Sequence, residues 1–207
     1  MIANRESVPV PAEIVGFDAE ELFALAQLDL KKGDIAEALQ KLKSAARDEH
    51  APAGAYSVCG HLYLQLQLPY RAERMFLKFL ALYPGAPDEM FALGSVHHLT
   101  GRDAEALKLW DELLLAYPSY TPALLSRAVL RSQAGHTAEA RDDLETLMKS
   151  TAVESPYFKP AKDLLQQLDA QRPANGTGIP GAHYNGATLA RTAYNVNNQQ
   201  PGGPSGA

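Results

Sequence analysis

Apolar side chains fall three and four positions apart along most of the chain from Ala19 to Leu168. That spacing is the period of an amphipathic helix, not the alternation of a half-buried strand. The stripes come in pairs of helices of roughly 13 residues each, separated by short polar breaks. Met90, Leu93, Val96 and His97 mark one helical face, and Ala106, Leu109, Trp110 and Leu113 mark the next. Gly33, Gly101 and Gly135 stand just past the first helix of a pair, where a left-handed cap favours a residue without Cβ. Gln67 takes that place in one pair, and Pro69 suits the first turn of the helix that follows. Pro84 and Pro118 end second helices. Phe158, Ala161, Leu164, Leu165 and Leu168 predict one more helix over 155–170, started by Ser155 and Pro156, with Pro160 allowing a later start.

The pairs repeat. Ala38, Ala72, Ala106 and Ala140 are spaced 34 residues apart, as are Pro84 and Pro118, Gly60 and Gly94, and Gly101 and Gly135. Small residues at a fixed stripe position (Ala26, Gly60, Gly94, Ala128) allow the second helix to approach closely and meet the alanine lattice.

A 34-residue period with this residue order resembles the tetratricopeptide-repeat (TPR) family. Frames over 19–52, 53–86, 87–120 and 121–154 fit its pattern. The second frame matches with Tyr56, Cys59, Gly60, Tyr63, Ala72, Phe76, Phe79 and Pro84. The third matches with Met90, Leu93, Gly94, Ala106, Trp110, Leu113 and Pro118. The outer frames depart from it: Asp29 and His50 in the first, Arg127, Arg131 and Ala152 in the fourth. Degraded outer repeats are what end-capping produces. The resemblance implies an all-α, right-handed TPR superhelix of about four helix-turn-helix repeats over 17–154, with 155–170 as a C-terminal capping helix.

The ends read differently. Residues 1–16, with Pro9 and Pro11, read as a flexible N-terminal arm, and 171–207 as a disordered tail rich in Gly, Pro, Asn and Gln. Gly176-Thr177-Gly178-Ile179-Pro180-Gly181 has the glycine spacing of a dinucleotide site but neither the strand nor the helix that the site needs. Asn175-Gly176-Thr177 is a glycosylation sequon without a visible secretory signal, and Pro201 to Pro204 is a bare PxxP. Tyr184, Leu189, Arg191 and Tyr194 form a candidate linear binding segment, against the plainer reading of spacer.

Charge and composition narrow the function. The formal net charge is −5; Arg172 and Arg191 make the tail +2, which leaves −7 for the rest. An acidic body excludes a general nucleic-acid binder. No apolar run is long enough to span a bilayer, and the first residues lack the apolar core of a secretory signal. With a single cysteine, Cys59, the fold does not depend on a disulfide, and the expectation is a cytoplasmic protein.

No set of residues converges on catalysis. Cys59 sits at a core position and reads as a small buried hydrophobe. His97 and His98 are adjacent on a helix and diverge by about 100°, so they do not converge on one metal ion. Arg127 and Arg131, at core-like positions, are expected to pair with Glu139, Asp142 or Asp143. The expectation is no enzyme, no cofactor and no metal.

In the family, the first helix of each repeat lines a concave face. The resemblance places there Phe23, Gln27 and Leu30, then Ser57, His61 and Leu64, then Phe91, Ser95 and His98, and finally Leu125, Val129 and Ser132. Family members that dock acidic chaperone tails use a basic clamp on this face, and no Arg stands at these positions here. A mostly apolar face suits an apolar or amphipathic segment of a partner protein. Its histidines, His61 and His98, predict weaker binding below about pH 6, where imidazoles charge. The leading function is a non-catalytic adaptor in a bacterial multiprotein assembly. The alternative is a cytosolic secretion chaperone similar to the type III translocator chaperones in size, charge and groove character. The partner's identity is unread, and self-association is open.

Overall fold

The computed structural model describes residues 16–170. Tyr184, Leu189, Arg191 and Tyr194, the rest of the 171–207 tail and all of the N-terminal arm but Gly16 lie outside the described residues. Among those described, every regular element is a helix. The chain divides into two compact units, Met1–Pro84 and Gly85–Ala207.

The first unit holds α1 (Ala19–Lys32), α2 (Ile35–Ala45), α3 (Ala53–Gln65) and α4 (Pro69–Leu82). Asp18 starts α1 with a capping box: its side chain accepts from the Glu21 N–H, and the Glu21 carboxylate accepts from the Asp18 N–H. Gly33 ends α1 at φ 86°, its N–H reaching back to α1 carbonyls. α1 packs on α2 and α3 on α4, and α2 meets α3. Ala26, Ala38, Leu42, Ala45, Ala55, Cys59, Ala72 and Phe76 are fully buried. At Gly60 α4 lies close on α3: a Cβ there would sit 2.7 Å from the Phe76 ring.

The second unit holds α5 (Pro87–Leu99), α6 (Asp103–Ala116), α7 (Thr121–Gln133), α8 (Thr137–Ser150) and α9 (Phe158–Ala170). α5 packs on α6, α7 on α8, α6 on α7 and α8 on α9, while α9 also touches α7. α9 begins at Phe158, with Pro160 inside its first turn, where the missing N–H has no helical partner to lose. Trp110, Leu113, Ala128, Ala140, Leu144, Leu147 and Ala161 are completely enclosed. The close approach of α5 to α6 depends on Gly94, where a Cβ would lie 2.3 Å from Trp110 Nε1.

Arg127 and Arg131 pair with Asp143, and the partners also include Asp111, which the sequence reading did not name. Arg127 Nε and Nη2 donate to the two Asp143 oxygens at 3.0 and 2.5 Å, and Arg131 Nη1 donates at 2.9 Å. Asp111 accepts from both arginines at 2.6 and 3.1 Å. Burial works against the Arg127 charge, but Asp143 and then Asp111 overcome it, so its pKa ends higher than usual. Asp143 is only 4% exposed, and this bidentate pairing keeps its charge compatible with burial.

Candidate functional site

The positions that family resemblance assigns to a binding face separate into two groups by burial. In the first unit all but Leu64 keep some exposed surface. Phe23, Gln27 and Leu30 follow one stripe of α1, at spacings of four and three. Phe23 and Leu30 are half-buried and Gln27 is exposed. The Phe23 ring lies over Gly54 at the start of α3, its Cζ 2.7 Å from where a Cβ would be. Any side chain at 54 would push that ring aside. Ser57 and His61 continue the face along α3, both half-buried, and the His61 ring meets Phe76 edge-on at 5.0 Å. Leu64, one turn further on, is buried at 9% exposure.

In the second unit Phe91, Ser95, Leu125 and Val129 are buried, while His98 and Ser132 are not fully so. Phe91 is 3% exposed, with its ring stacked on Trp110 at 6.1 Å and near Tyr120 at 5.8 Å. Ser95 is buried and donates to the Phe91 carbonyl at 3.0 Å, a local bond that satisfies its hydroxyl. Leu125 and Val129 are buried in the same cluster as Trp110, Leu144 and Leu164. Ser132 is half-buried. His98 is largely enclosed and its Nδ1 lies 2.7 Å from Asp103. Phe91, Ser95, Leu125 and Val129 therefore present little surface to a partner.

Groups with chemical potential are occupied structurally. Cys59 is fully buried, and burial pushes its thiol up to about 11, although a hydrogen bond with Tyr63 and the charges of Lys43 and Lys78 work the other way. The thiol is therefore neutral at ordinary pH and a poor nucleophile. His97 lies 3.6 Å from Glu105 and His98 beside Asp103, so the two rings turn to different carboxylates. Among the described residues, no group of three or more His, Cys, Asp or Glu is placed to hold a metal ion. Likewise, none of the described helices is long and apolar enough to cross a membrane.

No family model matches the chain. A stretch of 75 residues, 36% of the chain, is 37% identical to Cellulose synthase operon protein C of Pseudomonas fluorescens, of which it covers 6%. The chain spans less than a tenth of the length of the curated relatives it matches. Among solved structures, a tetratricopeptide repeat protein from Parabacteroides merdae superposes with a TM-score of 0.65 at 18% identity, over 87% of this chain and 67% of that one. YrrB, described as a TPR protein with an unusual peptide-binding site, superposes with a TM-score of 0.61 at 18% identity, over 88% of each chain. Consecutive helix pairs, a 34-residue period with small residues at the close contacts, and these superpositions lead to one conclusion: the chain has the tetratricopeptide-repeat fold.

Proposed function

We propose that this chain is a non-catalytic protein-interaction scaffold that holds an apolar or amphipathic segment of a partner on the α1–α3 face of its first unit. The observation that carries this reading is the alternation along that face. Phe23 and Leu30 offer partly exposed apolar surface on either side of the exposed Gln27, and the uncharged Ser57 and His61 extend the face along α3. Partly exposed apolar side chains separated by neutral polar ones suit a segment anchored by two or three side chains. Charge is absent from these positions, which argues against an acidic tail as the ligand. A peptide-binding site in YrrB, a protein of the same fold, is consistent with this use.

The test is site-specific photo-crosslinking in the cells that make the protein. A benzophenone side chain replacing Gln27 is expected to capture a discrete partner. The same group at Leu115, which is 86% exposed on α6, is expected not to. Capture from Leu115 with none from Gln27 would move the site elsewhere. In a purified complex, Phe23→Ala is expected to weaken binding by roughly 1–3 kcal/mol, the usual loss for an apolar anchor. Self-association, if it uses this face, would appear as a crosslink to a second copy.

A further inference from the structure

Away from the α1–α3 face, the first unit contains a concavity. It has a volume of about 410 Å³ and is walled by α2 and α4, with α3 at its base. Lys43 and Arg47 enter from the α2 side, and Arg71, Arg74 and Lys78 enter from α4. Tyr63 and the buried Cys59 contribute from α3. Five cationic side chains line this space and no carboxylate does, in a chain whose net charge is −5.

Like charges gathered this way repel one another, and on one helix face they also oppose helix formation. Of the acids near it in sequence, Asp48 and Glu49 lie within 4 Å of the exposed His50, Glu37 lies by Lys41, and Glu73 on α4 does not line the pocket. Among the described residues, Lys43, Arg47 and Arg74 have no ion-pair partner. The other two are held in place by the protein. Lys78 Nζ donates to the Ala46 carbonyl at 2.9 Å and stands 4.8 Å above the Tyr56 ring. The Arg71 guanidinium lies 5.8 Å from the centre of the Tyr63 ring. The result is a preformed basic pocket with fixed walls and free donors at its mouth.

We infer that this pocket binds a small molecule carrying two or more phosphate groups. Arginine forks pair bidentately with phosphate oxygens, and three arginines with two lysines neutralise several negative charges at once. The volume falls in the range of pockets for compact ligands. An extended nucleic acid would need a basic track longer than one concavity, and the acidic remainder of the chain would repel it. A membrane surface would need a convex or flat basic patch rather than a recess.

Calorimetric titration of the full chain with inorganic tripolyphosphate, at about 50 mM salt so that screening stays modest, is the direct test. Saturable binding near one site per chain is expected. Arg47→Gln with Arg74→Gln is expected to weaken it at least about tenfold, since each change removes a charged fork. Both side chains are exposed, so circular dichroism should show the helices unchanged. Lys108→Gln with Lys162→Gln, exposed and outside the pocket, should leave the affinity as it was. Arg74→Lys, which keeps the charge but loses the fork, should give an intermediate loss. Absence of saturable binding would overturn the inference, and so would binding that survives the double arginine change. Tighter saturation by a hexaglutamate peptide than by tripolyphosphate would reassign the pocket to an acidic protein segment. Tighter binding to anionic phosphatidylserine vesicles would reassign it to a membrane surface. The α1–α3 crosslinking result bears on neither outcome, because that face shares no residue with this pocket.

Discussion

Gln67 has a φ of 58°, in the left-handed region that side chains with a Cβ avoid, and it stands where the other helix pairs have Gly33, Gly101 and Gly135. The residue ends α3 in the same way those glycines end their helices, and its own side chain bears the steric cost. Gln67→Gly removes a strain of about 1–2 kcal/mol and adds back some chain entropy. A net gain of roughly 0.5–1 kcal/mol is expected in urea unfolding. Gly94 is the opposite case. Alanine is the better helix former by about 1 kcal/mol, but its Cβ would meet the enclosed Trp110 at 2.3 Å. Gly94→Ala is therefore expected to destabilise the protein by about 1–3 kcal/mol, the range for overpacking. A stabilised variant would show that the indole has room to move. At Gly54 the same substitution meets only the half-buried Phe23 ring, which can swing away. Gly54→Ala should disturb partner binding more than stability.

Cys59 gives a pH signature at the same scale. Its thiol titrates near 9 when unfolded and at about 11 when folded. Below pH 9 both states hold the proton and the thiol contributes no pH dependence. Between pH 9 and 11 the unfolded state ionises first, so stability falls as pH rises, by on the order of 2 kcal/mol for this group. Other groups titrate in the same window, so the measurement is the difference between the wild type and Cys59→Ala. The wild type should lose stability more steeply over that range. Equal slopes would mean the thiol is less enclosed than its burial implies.

At the scale of elements, α3, α5 and α7 are buried on several sides, while α2, α4 and α9 keep a sharp division between wet and dry faces. α3 is packed by α4 and α2, and α7 by α8, α6 and α9, so a one-stripe reading underestimates their burial. Phe91, Leu125 and Val129 illustrate it: each falls at a family groove position, and each is core here. α7 and α8 are also joined by charge. Asp143→Ala would leave Arg127 and Arg131 with only the half-exposed Asp111. A loss of about 2–3 kcal/mol is expected, less than for a fully enclosed pair because water reaches both arginines. Thermal unfolding of that variant would check it.

At the scale of the whole molecule, each unit has its own core, and helix repeats draw most of their stability from immediate neighbours. Amide exchange in Gly94→Ala should accelerate across α5–α9 and leave the α1–α4 amides closer to their wild-type rates. Uniform acceleration through all the helices would mean that the two units unfold as one. The separation also bears on function. The open apolar face and the basic pocket both belong to the first unit, and the second unit holds the enclosed cluster around Trp110 with the Asp143 ion network beside it.

Helical class, the pairing of helices and the places where pairs come close were all legible in the chain. They rest on local properties: the spacing of apolar side chains, and glycine or alanine where no larger group fits, repeated every 34 residues. Asp143 as a partner for two core arginines was also within reach, because paired charges are the usual answer to burial. Exposure was not legible in the same way. Phe23 and Phe91 hold matching places in their repeats, yet one is half-open and the other is sealed under Trp110 and Tyr120. Nor was the basic pocket, whose five cations come from α2, the turn after it and α4, segments more than twenty residues apart. Period and composition are properties of a chain read one segment at a time. Burial of one side chain, and the meeting of charges from different helices, depend on which surfaces the packing brings together, so only the folded arrangement decides them.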